Sequence, residues 1–258
     1  MTEVNADMNF GDRELEGRVA LVTGASRNIG RAIALALADG GASVVAAALR
    51  DQSGLDATIE AIRSRGGRAV GVLADLTKET DVESLIETAH ASFGRLDILV
   101  NNAAIRNEAP LEELTFAAWR GVLALALDAP FLCAKAALPS LRDSGCGAIV
   151  NIGGLTAYIG ASHRAHVIAA KAGLDGLTKA LAHELAPRGI TVNLVSPGLV
   201  ETHRSDGPQP HHHAKAANLV GRRGTPAEIA AMVRFLCGPS ARYVTGQTIH
   251  VNGGAYLP

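Results

Sequence analysis

Apolar residues along the chain gather in short runs separated by stretches of helical period. VALVT, residues 19–23, is a compact run, and the segment behind it sets Ile33, Leu37 and their neighbours on one face of a helix. A second apolar run follows, so the opening unit reads as strand, turn, helix, strand. The alternation continues with a helix over 55–65, a strand over 68–73, a helix over 80–93 and a strand over 96–100. A long helical region over 116–141, a strand over 148–152, a helix over 165–186 and a strand over 190–196 extend it. These strands are apolar throughout instead of alternating, as in strands covered by helices on both faces. The pattern predicts an α/β fold: a doubly wound parallel sheet in a single domain over 17–258, behind a flexible tail over 1–16. One stretch, about 201–219, breaks the pattern with DGPQPHHH. Long irregular insertions in compact domains usually act as lids or binding loops, so this one is expected to cover a substrate.

Composition narrows the function classes. The 258 residues suit one large α/β domain, and 48% hydrophobic with 19% charged residues and a formal charge of -1 describe an ordinary globule. No basic surplus advertises nucleic acid or an anionic membrane. Cys133, Cys146 and Cys237 are scattered without paired spacing, which argues against a disulfide framework or zinc site and fits a reducing compartment. The N-terminus lacks the basic start and apolar core of a signal peptide, and no apolar run reads as a membrane span, which points to the cytoplasm. His203 and the triplet His211, His212 and His213 lie in the lid-like stretch. Three adjacent histidines in a regular element cannot all face one ion, so substrate contact is expected there and a metal site is not.

Candidate chemistry begins at TGASRNIG, the turn after the first strand. Gly24 and Gly30 flank a loop that enters a helix, and the unpaired N–H groups and dipole of such a helix start favour a phosphate. Ligands of open α/β sheets bind at the carboxyl ends of the strands, where this loop lies. Further along come Asp75 and Leu76 after the third strand, NNAA from Asn101 to Ala104 after the fourth, Lys171 on the helix after the fifth, and Pro197 and Gly198 after the sixth. In this order the chain resembles the short-chain dehydrogenase/reductase family, whose fingerprint is TGxxxGxG, DV or DL, NNAG, YxxxK and PG. The resemblance runs from about Gly17 to the C-terminus.

That resemblance implies a Rossmann fold, a small-molecule substrate and a homotetramer built on the helices after strands four and five. It implies a nicotinamide cofactor held by Gly24, Ser26, Arg27, Asn28, Ile29, Gly30, Asp75, Leu76, Asn101, Asn102, Ala103, Lys171, Pro197, Gly198, Val200 and Thr202. Asn28 replaces a glycine of the fingerprint, and asparagine best tolerates the left-handed backbone that glycine supplies. After strand two, NAD sites carry an acid where this chain has Ala48, Leu49 and Arg50. Arg50, with Arg27, favours NADP, with NAD as the alternative cofactor.

The family's chemistry uses an Asn-Ser-Tyr-Lys set, in which the tyrosine passes the proton. Here Lys171 is kept, while the asparagine, serine and tyrosine positions fall on Ala126, Gly154 and Val167. A valine moves no proton. Substitutes are offered by GGLTAYIGASHRAH: Tyr158, His163 and His166, with Arg164 between the histidines. If the helix already runs from His163, residues 163, 167 and 171 form one stripe, with His163 a turn before the lost tyrosine. Lys171, His163 and Tyr158 are therefore the candidate catalytic residues. The reading is an NADP(H)-binding oxidoreductase with a non-standard active site. Its alternatives are an inactive nucleotide-binding protein with a regulatory or scaffolding role, and a non-redox enzyme using the same pocket, as in the halohydrin dehalogenases. Those relatives keep the serine and tyrosine and carry arginine where Lys171 stands, which weakens the third reading.

Overall fold

The computed structural model describes residues 13–105, 107–202 and 218–258. In chain order the elements are β1 (Val19–Thr23), α1 (Asn28–Asp39), β2 (Ser43–Ala48), α2 (Gln52–Arg63), β3 (Ala69–Leu73) and α3 (Glu79–Phe93). They continue with β4 (Ile98–Asn101), α4 (Phe116–Leu123), α5 (Ala129–Asp143), β5 (Ala148–Ile152), the single turn α6 (Thr156–Ile159), α7 (Ala165–Leu185) and β6 (Thr191–Pro197). α8 (Pro226–Cys237) and β7 (Thr248–Val251) complete the domain. The strands form one sheet in the order β3-β2-β1-β4-β5-β6-β7, with every neighbouring pair parallel. This is the doubly wound, Rossmann-type fold expected from the pattern.

Burial explains why that pattern was continuous. Every residue of β1, β2, β4, β5 and β6 is buried, whereas the edge strands β3 and β7 are partly open. One core packs α1, α2 and α8 on one face, around Ile33, Leu37, Leu55 and Val233. The other packs α3 and α5 on the opposite face, around Leu85, Cys133 and Leu141. Cys133 and Cys237 behave as small buried hydrophobes, with burial pushing both thiols up to about 12, and Cys146 is half-buried.

The order of β1 against β4 creates the site. Chain order reverses there, so the loops that follow these two strands diverge and leave a crevice at their carboxyl ends.

Three expectations are corrected. The ordered domain reaches back at least to Arg13, because Leu15 is fully buried and Glu14 receives two hydrogen bonds of 2.6 Å from Arg234 on α8. Residues 1–12 lie outside the described residues. The helix expected over 116–141 is interrupted by a π-helical turn, Ala124–Asp128, where the Ala129 N–H reaches back five residues to the Ala124 carbonyl. The stretch Phe116–Asp143 is also long and apolar enough, by length and composition, to cross a membrane, with a mean hydropathy of 1.7 over an 18-residue window within it. In this fold it lies against α3, β4 and α7.

α7 also buries an unusual polar group. His166 is 1% exposed, and neither ring nitrogen has a hydrogen-bond partner. Burial, then the nearby Arg164 charge, holds its pKa below the ordinary value of 6.5. The folded protein therefore keeps His166 neutral where the unfolded chain takes up a proton, and stability rises with pH through the region just below 6.5. His166→Leu is expected to flatten that slope. Urea unfolding at about pH 5 and about pH 7 should show a smaller loss in the variant. At neutral pH the variant should be at least as stable, since an unsatisfied buried polar group costs about 1–3 kcal/mol. A variant with the wild-type pH slope would overturn this account.

Candidate active site

Thr23, the last residue of β1, makes the polar joint of the crevice. Its Oγ1 accepts hydrogen bonds from the N–H groups of Asn102 (2.9 Å) and Ala103 (3.1 Å) and donates to the Val100 carbonyl (3.2 Å). Asn102 returns two bonds, from Nδ2 to the carbonyls of Thr23 (2.9 Å) and Gly24 (3.0 Å). The end of β4 is thereby fastened to the glycine turn. A Cβ on Gly30 would stand 2.0 Å from the Gly24 carbonyl oxygen and 2.4 Å from Asn102 Nδ2, so only glycine lets α1 start this close. Asn28 adopts the left-handed backbone expected of it, with φ at +51°.

A groove of about 650 Å³ runs over this turn. Gly24, Ser26, Arg27, Asn28, Ile29, Gly30, Arg50, Asp75, Leu76, Asn102 and Ala103 line it. Thr202 lies beside Arg27 and Asn28 in an adjoining hollow. Asn101 is placed elsewhere: it is buried and donates from Nδ2 to Asn151 Oδ1 (2.9 Å), while Asn151 donates to Thr178 Oγ1 (2.9 Å). Its side chain braces β4, β5 and α7 and does not line the groove.

Asp51, which the sequence reading passed over, also lines the groove. It caps α2, accepting from the Gly54 N–H at 3.1 Å. A hydrogen bond from Ser26, then the Gly54 N–H, hold its carboxyl below the usual carboxylate range. Its N-cap position, directly before a helical run, was the available signal. The Asp75 carboxylate is held down by Thr77, whose hydroxyl donates at 2.7 Å.

Beside the groove lies a cavity of about 390 Å³, and the two share Ile29, Asn102, Ala104 and Ile105 as walls. Lys171, Pro197, Gly198 and Val200 line the cavity. Lys171 is 8% exposed, and its Nζ donates to the Ile152 carbonyl at 2.5 Å. Val167, one turn earlier on α7, is a buried wall of the cavity. Gly154 is another wall, and a Cβ built on it meets no atom within 4 Å. Ala126 falls inside the π-helical turn and is buried with Val122, Val167 and Ala170, not on the cavity surface.

The two substitute proton donors are not brought to the cavity. α7 begins at Ala165, two residues later than the stripe required, and His163 precedes it in an exposed turn with φ at +62°. That turn is tied instead to the loop after β4, through the Ala109 N–H and the His163 carbonyl (2.9 Å). Tyr158 points into a polar and aromatic cluster. Its hydroxyl donates to Asp175 Oδ1 at 3.1 Å, and its ring meets those of His250 edge-on (4.6 Å) and Tyr256 in a stack (5.6 Å). Burial is the main reason its phenol is pushed up to about 12. Among the described residues that line the cavity, only Lys171 and Arg164 are ionisable. His203 and the His211–His213 triplet lie outside the described residues.

The family profile described as Enoyl-(Acyl carrier protein) reductase matches residues 24–256. The 3-oxoacyl-[acyl-carrier-protein] reductase FabG of Escherichia coli (strain K12) is 40% identical over 252 residues, 97% of this chain and 100% of its own. The protein of the same name from Salmonella typhimurium is 39% identical over 244 residues, covering 94% and 98%. A dehydrogenase/reductase from Sinorhizobium meliloti 1021 superposes with a TM-score of 0.90 at 40% identity, over 95% of this chain and 98% of that one. A short chain dehydrogenase from Burkholderia cenocepacia J2315, in complex with NADP, superposes with a TM-score of 0.88 at 35% identity, over 94% and 99%. Matched over nearly its whole length in sequence and in fold, the chain belongs to the short-chain dehydrogenase/reductase family of oxidoreductases.

Proposed function

We propose that this protein is a cytoplasmic NADP(H)-dependent oxidoreductase acting on a small molecule, with a proton path that does not use the family's tyrosine. One observation carries the reading: the groove over the glycine turn adjoins the cavity walled by Lys171, the two sharing Ile29, Asn102, Ala104 and Ile105. The groove fits a dinucleotide. Gly30 leaves at the start of α1 the space that a Cβ would fill, and the N–H groups there suit a pyrophosphate. Arg27 and Arg50 flank the same groove and suit a ribose 2′-phosphate, while Asp51 is taken up by Gly54 and Ser26. The Burkholderia relative that holds NADP supports this choice. When bound, the nicotinamide supplies or accepts a hydride.

The chain's own residues define what else the cavity does. Lys171 carries its protons at Nζ beside the Ile152 carbonyl, and it is the one wall able to exchange a proton, because arginine stays protonated. The Thr156 hydroxyl lines the same space and can orient a substrate oxygen. Apolar walls such as Ile105, Ile159 and Val167 exclude water. The three lost polar side chains favour a second reading, a cofactor-binding protein without turnover. It differs from the first in showing no hydride transfer to any member of a substrate panel.

The cofactor assignment expects NADPH to bind more tightly than NADH. One arginine–phosphate contact is worth about 1.5–3 kcal/mol, or roughly tenfold or more. Calorimetry should give that ratio for the wild type and a smaller one for Arg50→Ala; equal affinities would sink the assignment.

The empty positions lead to a gain-of-function experiment. Wild-type protein is expected to turn over simple ketones negligibly, because no hydroxyl stands at residue 154 or 167. Gly154→Ser has open space for its side chain. Combined with Val167→Tyr, it should raise ketone reduction about 10²-fold or more, the scale of general acid catalysis. His163→Ala and Tyr158→Phe should leave native hydride transfer intact, since both residues lie off the cavity. Strong ketone reduction by wild type that His163→Ala abolishes would restore His163 as the donor.

The assembly proposed is a homotetramer. Phe116 and Phe131, on α4 and α5, are 76% and 47% exposed, and Phe131 borders an apolar hollow with Leu127, Leu132 and Leu177. A partner's matching helices would cover this surface. Light scattering at micromolar concentration should give four times the chain mass of 26.6 kDa, and a monomer would exclude it.

A further inference from the structure

α3 and α5 pack against each other on one face of the sheet, and a groove of about 580 Å³ lies between them. Its floor is apolar, made by Val82 and Ile86 on α3 and by Leu132 and Ala136 on α5. On α3 the lining residues run from Glu79 to His90, roughly 16 Å or three helical turns. His90 Nε2 and Ser140 Oγ, 2.7 Å apart, join the two helices at one end. None of these residues lines the nucleotide groove or the cavity beside Lys171.

The two sides of the groove differ in charge. Glu79, Glu83 and Glu87, each four residues from the next, form one exposed row along α3. Lys135 is the one cation that α5 contributes among the described residues. Glu79 sits in the first turn of α3, where a carboxylate suits the helix dipole. Glu83 and Glu87 lie beyond that turn, and no ion pair among the described residues holds either of them. An apolar channel of this length beside a row of like charges has the form of a groove that takes a helix. Its complement is a helix with an apolar stripe and basic residues at i, i+4 and i+8 along one edge.

The chain itself does not carry that complement. Residues 1–12 hold Glu3, Asp7 and Asp12 but no lysine or arginine, so the row of glutamates repels them. Residues 203–217 hold Arg204 and Lys215 at opposite ends. None of the described helices has lysines or arginines four residues apart: α5 has Lys135 and Arg142, α7 has Lys171 and Lys179, and α1, α2, α4 and α8 have one each. A second copy therefore does not match the row either.

We infer that this groove docks an amphipathic helix of another protein, its apolar stripe on Val82 and Ile86 and a row of lysines or arginines along Glu79, Glu83 and Glu87. The inference is independent of the redox reading.

Fluorescence anisotropy tests it on the full chain with two labelled peptides of about 18 residues, long enough to become helical on binding. Both carry leucines at i, i+3, i+4 and i+7; one places three lysines at i, i+4 and i+8 beside that stripe, and the other places three glutamates there. Wild type is expected to bind the lysine peptide at least about tenfold more tightly, the scale of three exposed ion pairs. Glu83→Lys combined with Glu87→Lys should reverse the preference, a gain that a misfolded variant cannot produce. Glu112→Lys with Glu113→Lys, outside the groove, should leave it unchanged. Equal binding of the two peptides, no binding of the lysine peptide by wild type up to about 1 mM, or a preference that survives the groove substitutions would each overturn the inference. So would loss of the preference in the Glu112 and Glu113 variant. A change of oligomeric mass in light scattering on the groove substitutions would assign this face to contact between copies, and overturn it as well. If the charge-reversed variant does not fold, Glu83→Gln with Glu87→Gln decides, by loss of the preference.

Discussion

The site depends on how closely α1 approaches the ends of β1 and β4. Gly30 admits the Gly24 carbonyl and the Asn102 amide into space that any side chain would occupy. Asn102 and Thr23 hold that approach with hydrogen bonds running in both directions. Packing and polar bonding thus act on the same few atoms. The helix start is aimed at the groove floor, and the neighbouring cavity inherits Asn102 as a shared wall.

The cavity keeps one buried lysine, Lys171, on a wall that is otherwise largely apolar. Val167 and Gly154 make that part of the wall apolar or open. Ala126 withdraws from it altogether, into the packing between the π-helical turn and α7. What remains on the wall is a basic nitrogen held beside a backbone carbonyl and an arginine at the start of the same helix.

Much of this was legible in the sequence. Strands buried on both faces announce themselves as continuous apolar runs, and the glycine turn with Asp75, Leu76 and Asn102 lies along one groove. What escaped the reading has identifiable causes. α8 follows the irregular stretch, although Thr225 and Glu228 form a capping box before Ile229 and Val233. The π-helical turn lies within ALALD, where no glycine or proline marks it. The start of α7 was placed two residues early because Arg164, its N-cap, makes no capping bond from its side chain and so leaves no local signal. Tyr158 could not be placed from its own neighbourhood, since Asp175, Thr248, His250 and Tyr256 reach it from α7, β7 and the C-terminal residues.

The joint between Thr23 and Asn102 has a consequence for how the chain reaches this state. Its partners are 79 residues apart. The β1–β2 pair can form once the first βαβ unit has left the ribosome, but the strand that completes the crevice arrives two further helices later. Until then β1 presents an open edge, and the glycine turn has no carboxyl-end neighbour. Parallel pairings over such distances carry a large loop-closure entropy and form slowly. The nucleotide groove is therefore a late product of folding, and a half-made chain that exposes β1 is the species most prone to pair with the wrong strand.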